Sequence, residues 1–314
     1  MLQHVSLEID RVTKRFGGTL ALDGIEFAVP RGSIFGFLGA NGAGKTTTMR
    51  ICLGILEADS GEVRWNGTTS GDLPRRTWGY LPEERGLYAR STVIDQLVYF
   101  ASLYGAAPET ARRDALHWLA RFRIPEYADR RAEELSKGNQ QKVQFIAAIL
   151  HGPEVLLMDE PFTGLDPVNL ALLREAFLEL RDEGRTVVFS THQMELAEAM
   201  CESIAIVDHG RVIARGAVRD LKRASVRRFV RIGLDGTTDL RWLDGLEGVV
   251  VSRPGVDRTE LELTNGLEPG AILAAAVAGG VRVTHFEVAE PTLEALFIEH
   301  VGRAPDDEER SLAP

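Results

Sequence analysis

Residues 39–46 read GANGAGKT, and they have the residue types and the spacing of a phosphate-binding loop. The glycines let successive backbone N–H groups surround an anion without Cβ clashes. Lys45 is expected to reach the β- and γ-phosphates of a nucleotide, and Thr46 to place its hydroxyl on Mg²⁺. A structural glycine-rich turn is the alternative, but the loop lies between a predicted strand and helix, as the pattern requires. The predicted binding residues here are Gly39, Asn41, Gly42, Ala43, Gly44, Lys45, Thr46 and Thr47.

Two carboxylates follow the apolar run VLLM at 155–158. Such a pair is most often a solvated strand end. Behind a phosphate loop, however, Asp159 is expected on the Mg²⁺ side, and Glu160 as the group that orients the attacking water. His192 follows the predicted strand TVVFST, at the end where α/β sheets collect ligand contacts. It is either a loop residue or a donor to a γ-phosphate oxygen, and the residues alone leave both open.

A second helix start with anion-binding residue types reads LSKGN, at 135–139. Ser136, Gly138 and Asn139 can present backbone N–H groups to an anion. The same residues also fit an ordinary Ser N-cap, and the two roles are compatible. Lys137 either contacts phosphate or is solvated, and solvation is favoured because most lysines are exposed.

Phe16 precedes a Gly-Gly pair in a predicted β region. An aromatic residue in such a place is usually part of the core. The alternative is a stacking surface for adenine, which is worth about 1–3 kcal/mol per base. Stacking leaves no spacing signature, so the residues themselves favour the core.

The elements that position these residues alternate between strand and helix up to about residue 220. This alternation predicts a parallel sheet. The predicted strands are 5–9, 25–29, 33–39, 62–65, 155–160, 186–192 and 204–210. Helices are predicted from about Lys45, through 92–131, after LSKGN from Asn139, through 172–180, and briefly after His192.

After about residue 225 the pattern changes to strand, helix, strand, strand, helix and strand. The segments are 229–234, 240–246, 248–255, 259–264, 271–280 and 281–288. That order predicts a small ferredoxin-like α+β domain. We therefore predict two domains, 1–222 and 225–303, with a helical subdomain at about 88–150 and a disordered tail at 304–314.

Composition excludes several classes of protein. The formal net charge of −10 argues against nucleic acid as a partner. Only two cysteines occur, Cys52 and Cys201, which gives neither a disulfide framework nor a metal cluster. The most apolar stretch, 271–281, is shorter than the ~20 residues that span a bilayer. These features predict a cytoplasmic protein, unless a partner holds it at a membrane.

In this order, the motifs resemble the ATP-binding subunits of ATP-binding cassette (ABC) transporters, over about residues 5–220. The motifs that match are the loop at 39–46, LSKGN for the family's LSGGQ-like signature, VLLMDE at 155–160, the turn at 164–166 and His192. The resemblance implies an α/β P-loop NTPase cassette with a mixed sheet core, an antiparallel β subdomain and a helical subdomain, followed by the small α+β domain. It also implies ATP and Mg²⁺ as cofactors, and ATP hydrolysis as the activity.

The resemblance assigns roles to individual residues. In this family two subunits pair head to tail, and each ATP lies between the loop of one subunit and the signature of the other. Ser136, Gly138 and Asn139 would then face the partner's nucleotide, and Asp166 would lie at the seam between the copies. Phe16 occupies the position of the adenine-stacking aromatic. The implied catalytic residues are Lys45, Glu160 and His192, and the implied metal ligands are Thr46, Glu83 and Asp159.

Two positions depart from the family pattern. Glu83, in GYLPEERGLY, stands where most members have a Gln that touches Mg²⁺ and the attacking water. Glutamate keeps an oxygen for the metal but adds negative charge, so we predict a higher Mg²⁺ requirement. The signature reads LSKGN rather than LSGGQ, and Lys137 and Asn139 have no further explanation in the sequence.

Glu83, the form LSKGNQQK and the ending EPTLEALFIEHVG together resemble a subgroup of exporter ATPases that pair with separate six-helix membrane subunits. Such exporters move drugs, antibiotics or sodium ions. The implied partners are an integral membrane subunit and a second copy of the chain, on the inner face of the cell membrane. Two alternatives are an ABC ATPase that acts on ribosomes or DNA, and a regulatory ATP-binding module. A single phosphate loop and the net negative charge disfavour the first, and Glu160 with His192 disfavours the second.

Overall fold

The computed structural model describes residues 5–84, 86–236, 239–255 and 257–302. The chain divides into two compact units, and the division falls between Val218 and Arg219. The predicted disordered tail at 304–314 lies outside the described residues. None of the described helices has the length and hydropathy needed to cross a membrane.

The strands and helices are numbered in chain order. The strands are β1 (Val5–Phe16), β2 (Thr19–Pro30), β3 (Ile34–Leu38), β4 (Ser60–Trp65), β5 (Thr68–Thr69), β6 (Trp78–Leu81), β7 (Val155–Asp159), β8 (Thr186–Thr191), β9 (Ser203–Asp208), β10 (Arg211–Ala217), β11 (Arg228–Leu234), β12 (Val249–Arg253), β13 (Thr259–Leu263) and β14 (Val283–Ala289). The helices are α1 (Lys45–Cys52), α2 (Val93–Leu103), α3 (Pro108–Arg121), α4 (Lys137–Ile149), α5 (Pro167–Asp182), α6 (Met194–Met200), α7 (Val218–Ala224), α8 (Pro269–Ala278) and α9 (Leu293–Val301).

The first unit begins with a four-stranded antiparallel sheet in the order β2-β1-β4-β5. β1 and β2 form a long hairpin in which Phe16 faces Thr19, so both strands are longer than the predicted 5–9 and 25–29. Gly17 has φ 55°, a left-handed conformation that suits glycine at a hairpin turn. The hairpin therefore ends at Phe16.

A six-stranded mixed sheet forms the centre of the unit, in the order β10-β9-β3-β8-β7-β6. β10 runs antiparallel to β9, and the remaining neighbours are parallel. All residues of β3, β7 and β8 are buried, and most of them are apolar, as expected of central strands that are covered on both faces. In the register, Leu38 lies beside Thr191 and Asp159 beside Ser190. The predicted loop and both predicted catalytic segments therefore leave the sheet at the same edge.

The predicted helical run 92–131 contains two helices, α2 and α3, and α4 follows as a separate helix, as predicted. A break after α2 precedes Pro108, which begins α3, where its fixed φ is already suited to a helix. α4 starts at Lys137, two residues before the predicted start at Asn139, because the Ser136 hydroxyl accepts the Asn139 N–H at 3.3 Å and caps the helix. Predicted strands and helices elsewhere in the unit are present. β5, β6 and β10 were not predicted, nor was α7 at the boundary between the units.

A buried cluster of phenylalanine rings joins α4 to the central sheet. Phe145 of α4 stacks on Phe177 of α5, with ring centroids 5.6 Å apart. Phe177 also contacts Phe162 at 5.0 Å and Phe189 of β8 at 5.8 Å. Offset and edge-on contacts of this kind add to the burial of the rings. The helix that follows LSKGN is thus packed, through α5, on the strand that precedes His192.

The second unit contains one antiparallel sheet in the order β12-β13-β11-β14, which confirms the predicted α+β arrangement. Its core includes Val230, Leu261 and Ile272. The predicted helix at 240–246 is wrong, since only a 3₁₀ turn, Arg241–Leu243, forms there. Gly245 follows within two residues, and glycine disfavours the continuation of a helix. α9 was not predicted.

Replacing Phe177 by alanine should lower the free energy of unfolding of the first unit by about 3–5 kcal/mol, because the substitution leaves a cavity in the ring cluster. Urea denaturation followed by circular dichroism measures this change. Val168→Ala, on the same helix but 61% exposed, is the control and should change the value by less than ~0.5 kcal/mol. Equal effects of the two substitutions would contradict the packing described.

Candidate functional site

An open cavity of about 410 Å³ lies at the edge of the central sheet where β3 and β7 end. The predicted loop contributes Asn41, Gly42, Gly44, Lys45, Thr46 and Thr47 to its lining. The three predicted carboxylates, Glu83, Asp159 and Glu160, line it as well. The structure therefore brings residues from three distant parts of the chain into one cavity.

The loop can only be built with glycine at two positions. A Cβ atom on Gly39 would lie 2.4 Å from the Val207 carbonyl oxygen. Gly44 has φ 106°, and a Cβ there would lie 2.6 Å from the Leu22 side chain. Both distances are shorter than any real carbon contact, so the backbone of the loop fixes these residues. Ala43 is buried behind the loop.

The helix α1 begins directly after Gly44, with its first turn at the cavity. The first N–H groups of a helix have no partner within it, and the helix dipole places a partial positive charge there. Thr46 and Thr47 of this turn line the cavity, and the first turn contains no acidic residue. The position suits an anion such as a phosphate group.

The Lys45 ammonium is buried at the floor of the loop. Its Nζ donates to the carbonyl oxygens of Gly39 at 2.8 Å and Ala40 at 3.1 Å. It also lies 3.4 Å from Oε1 of Glu160, and both side chains are only 6% exposed. A buried charge of either sign is costly without a partner of opposite charge. Here Lys45 and Glu160 are each other's partners.

Glu160 leaves the end of β7 with φ 46°, an unusual backbone conformation for a residue with a side chain. Its Oε1 lies 3.1 Å from Nδ1 of His192, and its Oε2 accepts the Thr163 hydroxyl at 3.3 Å. Burial raises the pKa of the Glu160 carboxyl, but the hydrogen bond to His192 and the charge of Lys45 outweigh that effect. The pKa therefore lies below its usual range, and the group is ionised at neutral pH.

Ser190 of β8 holds the Asp159 carboxylate and the backbone of Glu160, and the sequence reasoning missed it. Its hydroxyl donates to Oδ1 of Asp159 and accepts the backbone N–H of Glu160 at 3.0 Å. The side chain is fully buried. Ser190 directly follows the apolar residues 187–189 in the predicted strand 186–192, and this was the available signal, since buried hydroxyls need partners.

Asp159 keeps one oxygen for another ligand. Its Oδ2 is buried and finds no hydrogen-bond partner among the described residues, which is costly for an ionised oxygen. A divalent cation beside the phosphates would satisfy it. Nowhere in the described ranges do three His, Cys, Asp or Glu side chains form a metal cluster, but Mg²⁺ is usually held by one or two carboxylates with waters and phosphate oxygens.

Glu83 completes the acidic side of the cavity. Burial, and then the charges of Asp159 and Glu160, raise the pKa of its carboxyl. The side chain is nevertheless exposed to solvent, so a cation can reach it. With Thr46 and Asp159, it forms an all-oxygen set of the kind that Mg²⁺ prefers.

The signature lies elsewhere in the unit. Among the described residues that line the cavity, none comes from 135–139. Ser136 and Lys137 are exposed, which agrees with the solvated interpretation of Lys137. A Cβ on Gly138 would lie 3.2 Å from the Asn169 amide nitrogen, so glycine keeps this helix start close to α5. Asn139 is half-buried, and its N–H serves the cap.

Asp166, Phe16 and His192 also lie outside the described cavity lining, as do Gly39 and Ala43 of the loop itself. Asp166 caps α5, where its Oδ1 accepts the N–H groups of Val168 and Asn169 at 2.9 Å each. Phe16 is 49% exposed and therefore not a core residue. Lys14 lies over its ring, with Nζ 5.7 Å from the centroid. One face of an exposed aromatic ring is suited to stacking.

Comparison with known proteins agrees with this geometry. The ABC transporter family matches residues 22–163. Residues 216–301 match a family described as ATP-binding protein DrrA1-3-like, C-terminal domain.

Two relatives from Bacillus subtilis (strain 168) are similar over nearly their whole length. The uncharacterized ABC transporter ATP-binding protein YhaQ is 44% identical over 94% of this chain and 98% of its own. The linearmycin resistance ATP-binding protein LnrL is 31% identical over 96% of this chain and 100% of its own. A solved structure of an ATP-binding subunit of an ABC transporter is 33% identical, with a TM-score of 0.65, over 69% of this chain and 92% of its own. The predicted fold class is confirmed.

We expect Glu83→Gln to stabilise the protein in the absence of nucleotide and Mg²⁺, by about 1–3 °C at pH 7.5, through relief of repulsion worth ~0.5 kcal/mol. The pKa of this carboxyl is about 4.3 in the unfolded chain and higher in the folded protein. Stability therefore falls as the pH rises from the unfolded-state pKa through the folded-state pKa. The gain should therefore disappear near pH 4. Thermal unfolding across this pH range measures it, with Glu57→Gln, at an exposed glutamate outside the cavity, as the control. A gain that does not depend on pH would contradict the electrostatic origin.

Proposed function

The chain belongs to the ABC transporter family of ATP-binding proteins, and we propose that two copies of it power a membrane exporter by closing on ATP and reopening after hydrolysis. As a member of this family, the chain binds ATP and hydrolyses it to ADP and phosphate. The observation that carries the proposal is the cavity at the phosphate-binding loop, which Lys45 and Glu160 line as an ion pair. The His192 ring lies outside the described lining, with its Nδ1 3.1 Å from Oε1 of Glu160.

The triphosphate would lie over the loop and the first turn of α1. Backbone N–H groups from Asn41 to Thr47 would surround the β-phosphate, and Lys45 would reach the β- and γ-phosphates. Gly39 and Ala43 would shape the loop from behind. The adenine would stack on the exposed ring of Phe16, outside the cavity.

Thr46, Glu83 and Asp159 would hold Mg²⁺. When bound, the cation neutralises the negative charge on the phosphate oxygens. The buried, unpartnered Oδ2 of Asp159 supports this assignment. Ser190 keeps the Asp159 carboxylate in place by holding its other oxygen.

Glu160 would orient the attacking water and accept its proton as the water oxygen attacks the γ-phosphorus and the bond to ADP breaks. The depressed pKa leaves the carboxylate ionised, as a proton acceptor must be. His192, whose Nδ1 lies 3.1 Å from Oε1, would hold the carboxylate by donating to it. The imidazolium form would also donate from Nε2 to a γ-phosphate oxygen, because only that form has an N–H on both ring nitrogens. The bond from the Glu160 N–H to Ser190 fixes the backbone at this turn.

A second copy of the chain would complete each site. Ser136, Gly138 and Asn139 lie at an exposed helix start that does not line the cavity of their own chain. In a head-to-tail pair, this positive helix end would face the partner's γ-phosphate. Asp166, exposed at the start of α5, would lie at the seam between the two copies.

The contact with an integral membrane subunit would lie between Glu83 and the helices of 92–131. Between residues 88 and 104, four large side chains are between 38% and 62% exposed. They are Tyr88, Tyr99, Leu103 and Tyr104, and we call them the aromatic surface. Exposed apolar side chains grouped in this way mark interaction sites. Through this contact the protein would be held at the inner face of the cell membrane.

Efflux is the direction that the relatives support. LnrL is described as a linearmycin resistance ATP-binding protein. Residues 216–301 of this chain match the C-terminal domain of DrrA1-3-like ATP-binding proteins. We propose export of a drug-like or antibiotic compound. The relatives reported above are transporter subunits, which favours this function over an ABC ATPase that acts on ribosomes or DNA.

We expect Glu160→Gln to reduce ATP turnover at least ~100-fold, because the amide cannot accept the proton. Bound ATP should then persist, and the variant should accumulate as a dimer in the presence of Mg-ATP. A phosphate-release assay and size-exclusion chromatography with light scattering measure the two effects.

The matched control is Glu57→Gln, an exposed glutamate outside the cavity. It should retain wild-type turnover and show no persistent dimer. Glu160→Gln with normal turnover would remove Glu160 from the proposed mechanism, and a variant that loses turnover but stays monomeric in ATP would contradict the dimer.

A further inference from the structure

The exposed ring of Phe16 has a charged group behind it. The Nζ atom of Lys14 lies over the ring, 5.7 Å from its centroid, which is within the distance of a cation–π contact. Only 14% of the Lys14 side chain is exposed, whereas 49% of Phe16 is exposed. The ammonium group therefore covers one face of the ring, and the rest of the ring is accessible to solvent.

Asp59 holds both Lys14 and the backbone that leads to this ring. Its Oδ1 accepts a hydrogen bond from Nζ of Lys14 at 2.8 Å, and its Oδ2 accepts the backbone N–H of Arg15 at 2.7 Å. The pairing of β1 with β4 ends at Thr13 and Ser60, so the Asp59 carboxylate holds β1 where the strand pairing stops. The hydrogen bond from Lys14 lowers the pKa of the Asp59 carboxyl, which keeps the pair charged at neutral pH.

The space beside the ring is open on the side of the hairpin turn. Gly17 and Gly18 have no side chains, and a Cβ atom on either would meet no described atom within 4 Å. Phe16 pairs with Thr19, and Ala21, two residues further along β2, lines the nucleotide cavity. Two residues of a strand span about 7 Å. A planar group that extends from the cavity can therefore reach the uncovered part of the ring.

A cation behind an aromatic ring changes how the ring stacks. The two faces of a phenylalanine ring carry partial negative charge, and an ammonium group attracts the π electrons towards its own face. The opposite face then carries less negative charge. A purine base is rich in π electrons, so its repulsion from that face decreases. The ammonium group thus strengthens the stacking of a purine on the far side of the ring.

We propose that Lys14, held by Asp59, is a positioning residue of the nucleotide site, whose ammonium group polarises the Phe16 ring and so strengthens the binding of the purine base. Lys14 acts through the ring and does not touch the nucleotide. Its charge is paired with the Asp59 carboxylate at 2.8 Å, which weakens any direct attraction to the phosphates. The inference rests on the proposed function, since that function places the adenine on Phe16.

ADP and inorganic pyrophosphate test this role, because both contain two linked phosphates and only ADP contains the base. Isothermal titration calorimetry with Mg²⁺ measures the affinity of the purified chain for each. We expect Lys14→Met to weaken ADP binding about three- to fivefold and to change pyrophosphate binding by less than about 1.5-fold. Unchanged pyrophosphate binding also shows that the phosphate loop is intact. An equal loss for both probes, or unchanged ADP affinity, would overturn the inference.

Two further variants assign the effect to the charge at this position. Lys14→Arg keeps a cation that can lie over an aromatic ring, and it should retain ADP affinity within about twofold. Arg11→Met removes an exposed cation from the same strand, one that pairs with Asp10 at 3.1 Å, and it should leave both affinities unchanged. A loss of ADP affinity in Lys14→Arg as large as that in Lys14→Met would contradict the role of the charge.

Phe16→Leu separates the inference from the proposed function. We expect this variant to weaken ADP binding about tenfold, as the loss of one stacked base predicts, and Lys14→Met to have no further effect when the ring is absent. A further threefold loss in the double variant would overturn the inference, because Lys14 would then act without the ring. If Phe16→Leu weakens ADP binding and Lys14→Met does not, the inference alone fails. If Phe16→Leu has no effect, the proposed position of the adenine fails with it.

Discussion

The ion pair between Lys45 and Glu160 is the interaction on which the nucleotide cavity depends. Each side chain is 6% exposed, and either charge alone at that depth would be strongly unfavourable. Lys45 begins α1, after the loop that follows β3, and Glu160 directly follows β7. The pair can therefore form only when β3 and β7 have their correct places in the sheet. The fold therefore supplies the pairing, and the pairing places an ammonium and an ionised carboxylate at the point where a γ-phosphate would lie.

Much of this arrangement could be predicted from local sequence. Gly39 and Gly44 could be predicted because their backbone tolerates no Cβ. β3, β7 and β8 could be predicted because central strands that are covered on both faces are mainly apolar. Ser190 was missed because its importance comes from two hydrogen bonds to residues 30 and 31 positions away. Bonds at that separation depend on strand register, which no short window of sequence contains.

The errors have a similar physical origin. The segment 240–246 has a helical apolar pattern, but it is too short to form a helix unless neighbouring elements stabilise it, and only the turn Arg241–Leu243 forms. Phe16 was favoured as a core residue because aromatic residues usually are, yet it is exposed at the end of a hairpin. Burial is decided by the whole fold, and a periodic pattern reports only what the local chain prefers.

LSKGN and the phosphate loop are two anion-facing helix starts of different kinds. The loop lines a cavity closed by carboxylates, and the signature is exposed and joined to the central sheet through the phenylalanine cluster. The most direct test of a composite site is to mix Lys45→Ala with Ser136→Glu and measure ATP turnover. Each variant alone should be inactive, and the equal mixture should recover about one quarter of wild-type turnover, because half of the dimers contain one intact site. A mixture no more active than its components would show that the two motifs do not act across two copies of the chain.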